Sequence, residues 1–175
     1  MPDKTPAVFK VRFTMTCGDC VVECHRDWAP KGADRFYEML KADFFKDIGF
    51  FRVKGGFMAQ FGIHGDPDLS DEWSGKVIRD DPVTQSNTRG MISFATRGPN
   101  TRTTQMFINF GDNSRLDRLG FSPFAKVIEG IENVDKIYKV GLDLPQAQIQ
   151  ALGNTFLKNY AGLDYIKSAT YLGTE

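Results

Sequence analysis

A single arginine lies among aromatic residues and glycines in the stretch from Gly49 to Gly62. Aromatic residues favour strands and buried cores, and glycines mark turns or close approaches of the backbone. The charge of Arg52 is costly to bury without a partner, so its position needs an explanation. Arg52 either extends along the surface and pairs with a carboxylate, or it supplies a cation to a binding groove. The local sequence leaves both interpretations open.

Two amide side chains on predicted strands accompany this arginine. Residues 57–61 and 105–110 alternate as strands do, so that every second side chain points to the same face. The shared faces combine apolar walls, one cation and two amides, a surface that suits an apolar ligand with carbonyl groups, such as a peptide. The predicted groove is lined by Arg52, Phe57, Met58, Gln60, Gln105 and Phe107.

Residues that usually bind metals are few in this chain. Cys17, Cys20 and Cys24 lack the second cysteine pair that a zinc site needs, and there are only two histidines. We interpret these cysteines as buried thiols, with a Cys17–Cys20 disulfide as the alternative under oxidising conditions. The acidic stretch 66–77 resembles the start of a calcium loop but lacks its glycine and its final glutamate. We therefore expect no metal site.

Sequence motifs of several enzyme classes are missing. The chain contains no phosphate-binding glycine motif and no G-x-S-x-G nucleophile motif. No carboxylate lies in an apolar run that would raise its pKa. Covalent and metal-assisted catalysis are therefore not expected.

The composition is that of one ordinary globular domain of 175 residues. A formal net charge of zero argues against a partner such as nucleic acid or a membrane surface, since both usually require a basic face. No apolar run approaches the length of a membrane span, and no apolar signal segment is seen at the N-terminus. We therefore expect a cytoplasmic monomer.

Many short strands and a few helices are predicted along the chain. We predict a hairpin of two strands at residues 8–15 and 20–25, and a long polar loop at residues 62–90. This pattern indicates a mainly β fold, a closed or nearly closed antiparallel barrel capped by helices. Further strands are predicted at 50–53, 57–61, 91–95, 105–110 and 121–128, and helices at 30–42, 131–140 and 145–160.

Five motifs carry a resemblance to a known family. They are FFRV at 50–53, GFMAQ at 56–60, SFATRGPNT at 93–101, TQMFI at 104–108 and LDRLGFSPF at 116–124. In type, order and spacing they resemble the cyclophilins, which are peptidyl-prolyl cis–trans isomerases. The resemblance implies a single domain over residues 1–175. Its core, at about 8–140, would be a closed eight-stranded antiparallel β-barrel capped by α-helices, followed by an extra C-terminal helix in a helical extension at about 145–172.

The resemblance also implies a role for each groove residue. Arg52 would be the catalytic residue, and Gln60 and Gln105 would hydrogen-bond the substrate backbone. The adjoining part of the groove would be lined by Ala95, Thr96 and Arg97, and the proline pocket by Phe57, Met58, Phe107, Leu116 and Phe121.

Three departures from the family pattern affect ligand choice. Phe51 stands where histidine is common, and residues 61–63 replace the usual Gly-Gly-Asp. Arg115 stands where some relatives carry a tryptophan that supports cyclosporin binding. We therefore expect weakened affinity for cyclosporin and an altered preference for the residues that flank proline.

The function that the resemblance implies is isomerisation of X–Pro peptide bonds in proline-containing peptides and proteins, which assists folding and requires no cofactor. The alternative is a non-catalytic module or chaperone on the same scaffold that binds proline peptides. A third interpretation, a barrel that holds a small lipid or sugar, requires a hollow interior. Fifteen phenylalanines favour a filled one.

Overall fold

A computed structural model describes all 175 residues, Met1–Glu175. Nine strands form one antiparallel sheet. They are β1 (Val8–Met15), β2 (Cys20–His25), β3 (Ile48–Gly49), β4 (Arg52–Lys54), β5 (Met58–Phe61), β6 (Met91–Phe94), β7 (Met106–Asn109), β8 (Ala125–Glu129) and β9 (Tyr165–Gly173). The helices are α1 (Pro30–Lys41), α2 (Pro67–Ser74), a 3₁₀ helix (Ser114–Leu119), α3 (Ile131–Val134), α4 (Gln146–Leu152) and α5 (Asn154–Leu157).

The sheet is curled, and the prediction of a closed eight-stranded barrel is not confirmed. Its order is β3-β9-β1-β2-β8-β6-β7-β5-β4, so β3 and β4 are edge strands. Only Phe50 and Phe51 separate these two edges along the chain, which brings them near each other without a ladder of hydrogen bonds between them. The ninth strand is β9, which lies between β3 and β1.

The C-terminal part of the chain differs from the predicted helical extension. Residues 145–160 contain two short helices, because Gly153 breaks the helix with φ 62° and ψ −140°. Residues 165–173 form β9 instead of helix. This segment contains two tyrosines, an isoleucine and a threonine, residue types that pack well on a sheet, and it pairs with β1 along most of its length.

The interior is filled with phenyl rings. Along β1 the side chains of Phe9, Val11, Phe13 and Met15 are buried while Arg12 is exposed, as the alternation predicts. The ring of Phe13 lies 5.4 Å from that of Phe45, centroid to centroid, in a core cluster of 38 buried residues. A filled core of this kind leaves no room for a lipid or sugar.

The predicted loop at 62–90 contains one ordered helix that the sequence analysis missed. Pro67 stands in the first turn of α2, and the Asp66 carboxylate caps the helix by accepting a hydrogen bond from the Asp68 amide at 2.9 Å. Asp66-Pro67 therefore begins a helix within the stretch predicted as a loop.

The three cysteines are free thiols. Cys20 and Cys24 are buried, as predicted, whereas Cys17 is only partly buried. Burial raises the pKa of Cys17 to about 11 and that of Cys20 to about 12. Both thiols therefore stay protonated and unreactive near neutral pH. No helix in the structure combines the length and the apolar character that crossing a membrane would demand.

Buried His64 makes the stability of the fold depend on pH. Its Nδ1 accepts a hydrogen bond from the Asp66 amide at 2.9 Å, and its ring packs edge-on against Phe44. Burial lowers the pKa of His64, so the unfolded chain binds a proton more readily than the folded chain. The stability that the neutral ring contributes is therefore complete above about pH 6.5 and decreases as the pH falls below it.

We predict that His64→Gln loses less stability than the wild type between pH 7.5 and pH 5. Glutamine stays neutral and can still accept a hydrogen bond from the Asp66 amide. The carboxylates contribute equally to the pH dependence of stability in both proteins. Urea unfolding at both pH values measures the difference. An identical loss in the two proteins would contradict this account of His64.

Candidate active site

A row of hydrogen bonds joins Arg52 to the two predicted amides. Arg52 in β4 pairs in register with Gln60 in β5, and Gln60 pairs with Phe107 in β7. Arg52 Nη1 donates to Gln60 Oε1 at 3.3 Å, and Gln60 Nε2 donates to Gln105 Oε1 at 2.9 Å. The strand register therefore brings together a cation and two amides that are far apart in sequence.

The two interpretations of Arg52 both describe part of its environment. Its side chain is 36% exposed, and its Nε lies 3.8 Å from Oδ1 of Asp143, so a surface carboxylate is indeed near. Asp143 binds Lys54 more closely, at 2.8 Å, and this hydrogen bond is the main reason that the pKa of Asp143 is lowered. The Arg52 guanidinium also lies 6.0 Å from the centre of the Phe57 ring. Arg52 thus stands at the boundary between solvent and an apolar pocket.

The apolar part of the site is a small cluster separate from the main core. Met58, Phe107 and Leu116 form it, each less than a tenth exposed. The Phe121 ring stands nearly perpendicular to that of Phe107, with centroids 5.5 Å apart. Phe57 and Ala95 complete its surroundings. Strands β5 and β7 supply the floor of this cluster, and the 3₁₀ helix supplies one side.

Polar residues that sequence reasoning missed hold the 3₁₀ helix in place. The Asp117 carboxylate accepts hydrogen bonds from Ser86 Oγ at 2.6 Å and from the Asn87 amide and Nδ2 at 2.9 and 2.8 Å. Burial alone would raise the pKa of Asp117, but these hydrogen bonds lower it overall. Asn113 Nδ2 donates to the Phe57 carbonyl at 2.9 Å and ties the helix to the opposite wall. Of these polar residues only Asp117 lies in one of the sequence motifs, LDRLG at 116–120.

One pocket with a volume of about 560 Å³ collects all the predicted site residues. Eleven side chains named from the sequence line it, namely Arg52, Phe57, Met58, Gln60, Ala95, Thr96, Arg97, Gln105, Phe107, Leu116 and Phe121. Eight more that were not predicted complete the lining, namely Ile63, Asp71, Ser74, Thr101, Thr103, Gln146, Ala147 and Gln150. Helices α2 and α4 supply five of these, and neither helix carried any sequence signal for a site.

The chemistry available in this pocket is non-covalent. It offers a permanent cation, two amides held in a defined orientation and an apolar recess. No group of three or more histidine, cysteine, aspartate or glutamate side chains in the structure could hold a metal ion. The arrangement can bind an apolar group and stabilise charge or a lone pair beside it.

Comparison with known proteins identifies the family of this chain. Residues 10–153 match the family model described as "Cyclophilin type peptidyl-prolyl cis-trans isomerase/CLD". The chain belongs to the cyclophilin family. The resemblance carried by the five sequence motifs is therefore confirmed.

Among individual cyclophilins, the peptidyl-prolyl cis-trans isomerase-like 3 of Rattus norvegicus is 33% identical over 130 residues, 70% of this chain and 78% of the relative. Peptidyl-prolyl cis-trans isomerase B of Escherichia coli is 32% identical over 136 residues, which are 73% of this chain and 82% of the relative. A crystal structure of a Cryptosporidium parvum cyclophilin-type isomerase superposes with a TM-score of 0.69 at 23% identity, covering 94% of this chain and 97% of that one. This likeness confirms the fold.

Loss of the Asp117 carboxylate should destabilise the 3₁₀ helix that carries Leu116. In Asp117→Ala the buried Asn87 side chain loses an acceptor, which we predict costs about 3 kcal/mol of unfolding free energy. The control is Arg118→Ala, an exposed neighbour in the same helix, with an expected change within about 0.5 kcal/mol. Urea unfolding measures both, and equal stabilities of the two variants would refute the anchoring role.

Proposed function

We propose that this protein is an active peptidyl-prolyl cis–trans isomerase that rotates X–Pro peptide bonds in peptides and proteins and so assists their folding. The observation that carries the proposal is the position of Arg52, a cation joined to two amides at the edge of an apolar pocket. A proline ring fits the apolar part, and its peptide bond then lies beside the guanidinium.

Rotation of a peptide bond breaks no covalent bond, so the reaction needs no nucleophile and no cofactor. Amide resonance sets a barrier of about 18–20 kcal/mol. An acceleration of about five decades requires about 7 kcal/mol of transition-state stabilisation. In the rotated state amide resonance is lost, so the prolyl nitrogen becomes pyramidal and its lone pair is localised there. A cationic donor stabilises this localised lone pair more than it stabilises the planar ground state.

Arg52 has a donor free for this task. Arg52 Nη1 donates a hydrogen bond to Gln60, and Arg52 Nε faces Asp143. Arg52 Nη2 is therefore left to donate to the twisted peptide. Gln60 and Gln105 would hold the substrate backbone, while Phe57, Phe107 and their neighbours hold the ring. One side of the X–Pro bond is then fixed while the other turns.

The substrate in this proposal is a proline-containing chain that continues past the pocket into the groove at Ala95, Thr96 and Arg97. A second structure of the Cryptosporidium parvum cyclophilin, determined in the presence of the dipeptide Ala-Pro, supports this class of ligand. That structure superposes with a TM-score of 0.67 at 22% identity.

The Asp143 ion pair is the observation that favours the alternative, a non-catalytic proline-peptide module, because it engages the same guanidinium. It is a weak restraint. The two atoms are 3.8 Å apart, and the Asp143 side chain is 68% exposed. Exposed pairs of this kind contribute little to stability, so a bound peptide can displace Asp143 from Arg52 at small cost.

Replacing Arg52 tests the proposal. We predict that Arg52→Ala lowers kcat/KM for an Ala-Pro peptide about 100-fold or more, and that Arg52→Lys recovers only part of it, since lysine lacks the planar fork. The matched control is Lys54→Ala. Lys54 is a cation on the same strand and also binds Asp143, but it does not line the pocket.

Isomerisation kinetics on proteins with confirmed circular dichroism spectra provide the measurement. Lys54→Ala should stay within about twofold of the wild type. Unchanged kcat/KM in Arg52→Ala would overturn the assignment of Arg52 as the catalytic residue.

We also propose weak binding of cyclosporin. Arg115 is exposed and its guanidinium lies 5.1 Å from the centre of the Phe57 ring, where some relatives place a tryptophan. Arg115→Trp should bind the drug about tenfold more tightly than the wild type, because one added aromatic contact can supply a gain in binding free energy of that size. A fluorescence titration compares the two, and equal affinities would contradict the role given to Arg115.

A further inference from the structure

The pocket has a second wall with a chemistry unlike that of the proline recess. Helix α2 contributes Asp71 and Ser74, and helix α4 contributes Gln146 and Gln150. These side chains are polar, whereas the recess around Met58, Phe107 and Leu116 is apolar. We call the α2 and α4 residues Asp71, Ser74, Gln146 and Gln150 the polar wall.

The polar wall is fixed in place by the fold. Ile149 of α4 is buried in the main core, and the Asn154 amide donates to the Gly65 carbonyl at 2.9 Å. A side chain at Gly153 would overlap that same carbonyl, so the backbones are in direct contact where α4 ends. Asn154 Nδ2 donates to the Asp47 carbonyl at 2.8 Å. This segment is therefore a built part of the site and not a mobile flap.

Gln150 carries an unsatisfied hydrogen-bonding group. It lines the pocket, its Nε2 is enclosed by protein, and that atom has no hydrogen-bond partner. An enclosed donor without a partner is unfavourable, and a ligand that supplies an acceptor relieves the cost. The last torsion of a glutamine side chain is soft, so the amide can turn toward an acceptor in the pocket.

Charge favours a neutral acceptor. Asp71 and Arg97 both line the pocket and carry opposite charges, so either charged side chain would be repelled by one of them, whereas a neutral side chain is repelled by neither. A neutral amide both accepts from Gln150 and donates to the hydroxyl or carbonyl groups nearby.

We infer that the polar wall, through Gln150, selects proline substrates that carry an asparagine or glutamine side chain next to the X–Pro unit. This inference rests on the proposed isomerase function and makes Gln150 a residue that determines specificity. The C-terminal segment then does more than complete the sheet, because α4 decides which prolines the site prefers.

A peptide series measures this preference. Gln, Leu, Glu or Lys is placed, one position at a time, at the two residues before and the two residues after an Ala-Pro unit. At one of these positions we expect kcat/KM for the Gln peptide to exceed that for the Leu peptide about tenfold, with Glu and Lys lower than Gln. Equal values for Gln and Leu at all four positions would overturn the inference.

Variants of α4 locate the preference. Gln150→Leu keeps the size of the side chain and removes the unpartnered donor, so the protein should be at least as stable as the wild type, while the Gln-to-Leu ratio falls to about one. The matched control is Gln148→Leu, which is exposed on the same helix, does not line the pocket and should keep the wild-type ratio. A wild-type ratio retained in Gln150→Leu would refute the role of Gln150.

Dissociation constants for the same peptides separate this inference from the proposed function. If the wild type accelerates no peptide, the isomerase proposal fails, and the polar wall is then judged by binding alone. A Kd for the Gln peptide about tenfold below that for the Leu peptide, lost in Gln150→Leu, would still support the wall. Equal dissociation constants would reject it whether or not the protein is an isomerase.

Discussion

The site depends on the hydrogen-bonded row of Arg52, Gln60 and Gln105, and this row depends on strand register. Arg52 lies opposite Gln60 across the β4–β5 ladder, and Gln60 lies opposite Phe107 across the β5–β7 ladder. Because side chains alternate along a strand, a slip of one residue would turn Gln60 away from both partners. Gly62 helps to fix this register, since its φ of 114° and its close approach to the Thr104 backbone tolerate no side chain.

The C-terminal segment serves both the fold and the site. Strand β9 pairs with β1 and with β3, so the end of the chain lies inside the sheet. Before it reaches that position the chain forms α4 and α5, which pack beside Gly65 and place Gln150 at the pocket. The apolar recess and the polar wall are thus supplied by separate parts of the sequence, so the wall can vary without disturbing the recess.

Much of this arrangement could be predicted from local patterns, because the alternation of side chains along a strand is visible in the sequence of that strand alone. The alternating burial of β1 follows from a period of two, and so does the shared face of Gln105 and Phe107. The pairing of β5 with β7 is what brings Gln60 to that face. The failures have specific physical causes. Residues 165–173 become a strand only because β1 and β3 are there to pair with, and no local pattern records those partners. Asp143 and Gln150 reach the site through the path of the chain in space, which spacing alone does not reveal.

The proposed function requires that the wild-type protein catalyses rotation and does more than bind proline. Exchange NMR on a short Ala-Pro peptide distinguishes the two, because cis and trans resonances are resolved and uncatalysed exchange takes tens to hundreds of seconds. With a small amount of an active isomerase, we expect cis–trans exchange cross-peaks that grow with protein concentration. Shifted peptide resonances without faster exchange would contradict the proposed function and identify a binding module instead.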